Sequence, residues 1–163
     1  EWNAESLREA RSRSVDFLEV TKLIREVYPS SVLTICTAAV SDFTPVDAED
    51  KKLKKTSMTG TMSLQLEQTP DILAALGAAK KPNQKLVGFA LETNNGEDYA
   101  KEKLVRKNAD AIILNMLSSK TGFESNTNAV DIFFQDGGEL SFELMDKSLL
   151  GKQLLEALIE KFQ

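Results

Sequence analysis

The chain has 163 residues, 42% of them hydrophobic and 28% charged, enough for one domain with its own core. A net charge of −5 and an isoelectric point near 4.9 argue against broad nucleic-acid binding and still permit a local cationic pocket. The absence of histidine removes Ser-His-Asp and Cys-His nucleophiles and histidine-containing zinc sites, and a single cysteine excludes an intramolecular disulfide.

Residues 3–13 read as a short helix and 14–20 as a weak strand. Val20, Leu23, Ile24 and Val27 have helical spacing, and the helix is expected to stop at Pro29. "SVLTICTAAV" (31–40) is a continuous apolar, β-branched run, as in a strand buried on both faces. "TMSLQLEQ" (61–68) alternates as a half-exposed strand does. "TPDILAALGAA" (69–79) is a helix with Thr69 at the N-cap and Pro70 in the first position. "KLVGFALE" (85–92) and "ADAIILNML" (109–117) read as buried strands on either side of a helix over 94–108. "AVDIFF", "DGG" and "LSFELM" make a hairpin, and 147–162 an amphipathic helix with Leu150, Leu154, Leu158 and Phe162 on one stripe.

This alternation predicts an α/β fold: a three-layer, Rossmann-like arrangement with a mostly parallel sheet flanked by helices, plus an antiparallel hairpin and a flap. No repeat, low-complexity tract or linker interrupts it, so a single domain over 1–163 is expected. No apolar run reaches membrane-spanning length and no signal peptide is visible, which predicts a cytoplasmic protein without a membrane or nucleic-acid partner.

Ligands in such sheets bind beyond the carboxyl ends of the parallel strands. After the first of these strands, Thr37, Ala38 and Ala39 are small enough for a flat ring to approach the backbone. Asp42 offers a carboxylate to a base or ribose, or simply caps a turn. After the second, Phe89 either stacks on a base or is plain core. Lys103 and Lys107 lie four apart on one helical face with Tyr99. Like charges so spaced cost about 0.2–0.5 kcal/mol, a penalty that a phosphate between them would reverse; two solvated lysines are the plainer alternative. Asn115 ends the third strand, where a buried amide has either a ligand or a neighbouring loop as its partner. The run "DAEDKKLKK" (47–55) is either a solvated loop or a clamp that brings a lysine over a phosphate.

Together, "AAVSDFTP", "KLKK", "TPDILAAL", "LVGFALETNN", "AKEKLVRKNADAIILN" and "GFESNTNAV" closely resemble phosphopantothenate–cysteine ligase, in bacteria the C-terminal half of the bifunctional coenzyme A biosynthesis flavoprotein. The resemblance runs in register from about Val15 to the C-terminus; residues 1–14 do not match the family's opening strand, glycine-rich turn and "N-R-S-S-G"-like segment. It implies that CTP activates the carboxylate of 4'-phosphopantothenate as an acyl-cytidylate with release of pyrophosphate, after which L-cysteine attacks to give phosphopantothenoylcysteine and CMP. It further implies Mg2+, a homodimer, and FMN only where a decarboxylase domain is attached. By position, Cys36, Thr37, Ala38, Asp42, Pro70, Asp71, Ile72, Leu73 and Phe89 would lie against the nucleotide. Lys103 and Lys107 would hold the triphosphate, Lys52 would act from the flap, and Asn115 is grouped with Lys52 as catalytic. A non-catalytic nucleotide-binding or dimerisation module of the same enzyme is the alternative. A Rossmann-like oxidoreductase would need a glycine fingerprint at the first strand, and none is present.

Overall fold

A computed structural model describes residues 24, 26–38, 40–46, 63–116 and 125–163. The expected helix over 3–13, the strand over 14–20 and the lysine-rich run over 47–55 lie outside the described residues. The chain divides into two compact units, one of Glu1–Cys36 with Ile72–Gln163 and one of Thr37–Asp71.

The larger unit is built on a five-stranded sheet in the order β1-β4-β5-β6-β7. Its strands are β1 (Leu33–Cys36), β4 (Lys85–Glu92), β5 (Ala111–Met116), β6 (Thr127–Phe134) and β7 (Glu139–Asp146). β1, β4 and β5 are parallel; β6 and β7 complete the sheet antiparallel, joined by the turn in which Gly137 has φ +88°. Helices α1 (Ile72–Ala79) and α2 (Gly96–Arg106) connect the parallel strands, and α3 (Lys147–Phe162) closes the chain.

Strand alternation sorts the core into two faces. Val87, Ile113, Val130, Ile132 and Phe134 point one way and bury Leu150, Leu154 and Leu158 of α3. Ala90, Ile112, Leu114 and Phe133 point the other way, against Ala100 and Leu104 of α2. Leu86 joins Tyr28 and Leu76 in a third cluster, which Ile72 and Leu73 of α1 flank. The α/β, three-layer expectation is therefore met, as is the leucine stripe of α3. That helix is capped at its start by Asp146, whose Oδ1 accepts from the backbone N–H of Ser148 at 2.8 Å.

The smaller unit contains a two-stranded antiparallel ribbon, β2 (Phe43–Pro45) and β3 (Leu66–Gln68), with Phe43 opposite Gln68. Phe43, Val46, Leu64 and Leu66 are all exposed.

Four local expectations change. The run 31–40 yields only a four-residue strand, and all of Leu33–Cys36 are half-buried. Among the described residues β1 pairs with β4 alone, and an edge strand lacks cover on its outer side. The α-helix expected to stop at Pro29 ends at Val27, and Tyr28–Ser30 follow as a separate 3-10 turn with the proline in its first turn, where a missing N–H costs nothing. α1 begins at Ile72, so Thr69 and Pro70 lie ahead of it; the Thr69 N–H donates to the Asp42 carbonyl at 3.0 Å. The alternation of 61–68 does not bury one face, since Leu64 and Leu66 are both exposed.

Candidate functional site

In the larger unit the candidates gather where the parallel strands end. The register aligns Cys36 with Gly88 and Gly88 with Ile112, which brings the carboxyl ends of β1, β4 and β5 to one side. Cys36 is the last residue of β1 and is half-buried; burial pushes its thiol pKa up, so it is no activated nucleophile. Ile72 and Leu73 pack in the same cluster as Cys36. Leu73 lies directly against Gly88, where a Cβ would come within 2.6 Å of its side chain.

Lys103 reaches from α2 to the sheet, and its Nζ donates to the Phe89 carbonyl at 2.8 Å. The Lys85 N–H donates to Val32, so by alternation the Phe89 carbonyl also faces the β1 side. β1 has ended by then, and the lysine takes the place of a strand donor. A cation is thereby held against β4 just past the end of β1, level with Ile113 of β5. The Phe89 ring itself packs on the α3 face, opposite α2, in keeping with its reading as core.

Lys107 follows as the C-cap of α2, its N–H donating to the Lys103 carbonyl at 2.9 Å. The side chain is only 8% exposed, which excludes the picture of two solvated lysines. Tyr99, on the same expected face, is exposed. α1 fixes this end of α2 by close approach: the Asn108 Nδ2 donates to the Gly77 carbonyl at 2.8 Å, and Gly77 lies beside the Lys107 carbonyl.

Asn115 sits on β5, beside Leu91 of β4 and Val130 of β6. Its Oδ1 is buried without a hydrogen-bond partner among the described residues, and the same holds for Asn128 Oδ1 and the Tyr28 hydroxyl. Neither Asn128 nor Tyr28 was singled out from the sequence. Asn128, near the start of the apolar strand β6, is likewise a buried amide that calls for a partner.

In the smaller unit Thr37, Ala38, Asp42, Pro70 and Asp71 are all exposed. Asp42 lies just before β2, and its carbonyl is occupied by Thr69. Lys52 lies outside the described residues.

A cleft of about 620 Å³ gathers none of these candidates; its lining includes Leu114 and Phe133, and its walls carry Glu97, Asp98, Asp131 and Glu139. Lys101 spans that wall, bonded to Glu97 at 2.6 Å, as the i,i+4 spacing predicts, and to Glu139 at 2.7 Å. The two carboxylates, Glu139 foremost, raise the lysine pKa above its ordinary value. Among the described residues no group of three or more Asp, Glu, Cys or His side chains is placed to hold a metal ion, and no helix is long and apolar enough to cross a membrane.

Residues 11–162 match the model of the DNA/pantothenate metabolism flavoprotein C-terminal domain. The coenzyme A biosynthesis bifunctional protein CoaBC of Bacillus subtilis (strain 168) is 42% identical over 139 residues, covering 85% of this chain and 34% of that protein. CoaBC of Escherichia coli (strain K12) is 36% identical over 147 residues, covering 89% of this chain and 36% of that protein. The chain thus spans about a third of the length of these relatives. The crystal structure of the C-terminal domain of CoaBC superposes with a TM-score of 0.68 at 29% identity, covering 88% of this chain and 61% of that one. The motif-level resemblance and the matched residues agree: the chain belongs to the family of the DNA/pantothenate metabolism flavoprotein C-terminal domain.

Proposed function

We propose that this chain carries the nucleotide-handling part of a phosphopantothenate–cysteine ligase acting in coenzyme A biosynthesis. CTP and 4'-phosphopantothenate react to an acyl-cytidylate and pyrophosphate, and the amine of L-cysteine then displaces CMP. The observation that carries this reading is the Lys103 ammonium, fixed on the Phe89 carbonyl just past the end of β1. A preorganised cation stabilises charge on a triphosphate without reorganising during reaction. The chemistry needs positioning and charge, which a chain without histidine can supply.

Lys103 and Lys107 take the triphosphate. Cys36, Thr37, Ala38, Asp42, Phe89 and the stretch Pro70–Leu73 take the rest of the nucleotide, and Lys52 stabilises the charge that develops during activation. Asn115 belongs at the reacting centre. Mg2+ arrives on the nucleotide phosphates. The exposed apolar residues Phe43, Val46, Leu64 and Leu66 of the ribbon support a homodimer, because a two-stranded ribbon is marginal by itself. FMN enters only with an attached decarboxylase domain, and the cytoplasm is the expected compartment.

Pyrophosphate release from CTP, Mg2+ and 4'-phosphopantothenate, with and without L-cysteine, tests the reading. Release together with the cysteine adduct supports a ligase. CTP binding without release leaves the second reading, a nucleotide-binding or dimerisation module. Loss of release in Lys52→Gln, with Lys54→Gln unaffected, would place the flap lysine.

A further inference from the structure

Two buried amide oxygens lack partners among the described residues at one corner of the sheet. They are Oδ1 of Asn115 and Oδ1 of Asn128. On β5, Ala111 and Ile113 face α3, and alternation puts Asn115 on that face too. On β6, Val130, Ile132 and Phe134 face α3; an irregularity follows between Asn128 and Val130, and Asn128 pairs with Met145 of β7, which packs on the same cluster. Asn115 and Val130 form the last pair of the β5–β6 ladder, and Asn128 lies just beyond it along β6, past the irregularity, which sets it near the diagonal position to Asn115. Diagonal positions on neighbouring strands are about 7–8 Å apart, within reach of two side chains that converge on one atom.

A buried carbonyl acceptor left without a donor costs free energy, so a pair of them on one face favours a ligand that donates hydrogen bonds. An amino nitrogen fits best. It presents two hydrogens in divergent directions, one for each oxygen, where a hydroxyl presents one and a carbonyl none. We propose that Asn115 and Asn128 form a paired acceptor site for an amino group of a bound reactant, with Asn128 a binding residue additional to those already named. This rests on the ligase reading, which supplies two such groups: the exocyclic amine of the cytosine base and the amine of L-cysteine. A site built to accept hydrogen bonds rejects an analogue that lacks the donor, because its own acceptors then stay unpaired. If the base is the source, the pair selects CTP against UTP; if the nucleophile is the source, it orients the attacking amine.

The test is calorimetric titration of the full chain, wild type and Asn128→Leu, with CTP, UTP and L-cysteine in turn, alongside thermal melting. Leucine keeps the volume and removes the orphaned oxygen, so Tm is expected to stay level or rise. A base source predicts that the CTP preference over UTP falls about tenfold in the variant; a nucleophile source predicts that cysteine affinity falls about tenfold with CTP binding intact. Wild-type binding of CTP, with every affinity and the CTP/UTP ratio unchanged in Asn128→Leu, overturns this assignment alone. A wild-type chain that takes none of the three probes overturns it together with the nucleotide reading. Loss of fold in both Asn128→Leu and Asn128→Ala shows that the side chain has a structural partner and also overturns it.

Discussion

Two glycine-to-alanine substitutions in helices of this chain are expected to change stability with opposite signs. Alanine is favoured over glycine inside a helix by about 0.5–1 kcal/mol. Gly151 of α3 has nothing within 4 Å of an added Cβ, so Gly151→Ala should keep that gain. Gly77 of α1 is different, because its added Cβ would overlap the Lys107 carbonyl oxygen and stand 2.9 Å from the carbonyl carbon. Relief requires α1 to withdraw from the C-cap of α2 by more than an ångström, and backbone cannot rotate away as a side-chain tip does. Overpacking of that kind costs about 1–3 kcal/mol, here toward the upper end. After the helix gain is subtracted, Gly77→Ala should destabilise by about 2 kcal/mol, or roughly 4–8 °C in Tm for a chain of this size. Urea denaturation of both variants measures the difference directly, with unchanged m-values as the check that two-state behaviour holds. A Gly77→Ala as stable as Gly151→Ala would refute the claim that the helices meet at that point. It would also remove the reason for Lys107 being held where it is.

Lys103→Gln should weaken CTP binding about 10- to 100-fold, as expected for one charged hydrogen bond, and calorimetry reading wild-type affinity would make the lysine purely structural. Asp110→Asn should cost about 3 kcal/mol in denaturant unfolding, because the carboxylate accepts from Lys80 at 2.8 Å and from the Leu86 N–H at 2.9 Å in a largely buried site. Asp136 has its pKa lowered by Lys161 foremost and by the Gly138 N–H, so its contribution to stability is present above the ordinary carboxylate range and disappears as pH falls through the lowered value. Lys161→Ala should return that carboxyl toward its ordinary pKa, followed by NMR titration; an unmoved midpoint would assign the shift elsewhere. The Cys36 thiol, raised by burial, should be alkylated more slowly than a free cysteine at neutral pH, with the rate rising only in more alkaline solution.

The strands and helices that carry the site were largely legible in the sequence. β4, α2, β5 and α3 lie where apolar runs and helical periodicity put them, because burial and spacing along the chain are local properties. Asn115 was legible as well, as an amide ending an apolar strand. What the pattern could not reveal was who stands beside whom. The run 31–40 reads the same for an edge as for a central strand, and only the sheet order leaves β1 half-buried and, among the described residues, paired on one side alone. The charge spacing of Lys103 and Lys107 suggested solvated lysines or a phosphate clamp. The packing of α2 on the sheet decided that Lys103 bonds the Phe89 carbonyl and that Lys107 is buried. Asn128 gained its meaning from the register of β6 on β5, a long-range pairing that ends at Asn115 and Val130, and from the unpartnered oxygen that both amides carry. Composition and periodicity determined the elements and the classes of chemistry excluded; strand order and helix packing decided which polar groups meet and which remain without a partner.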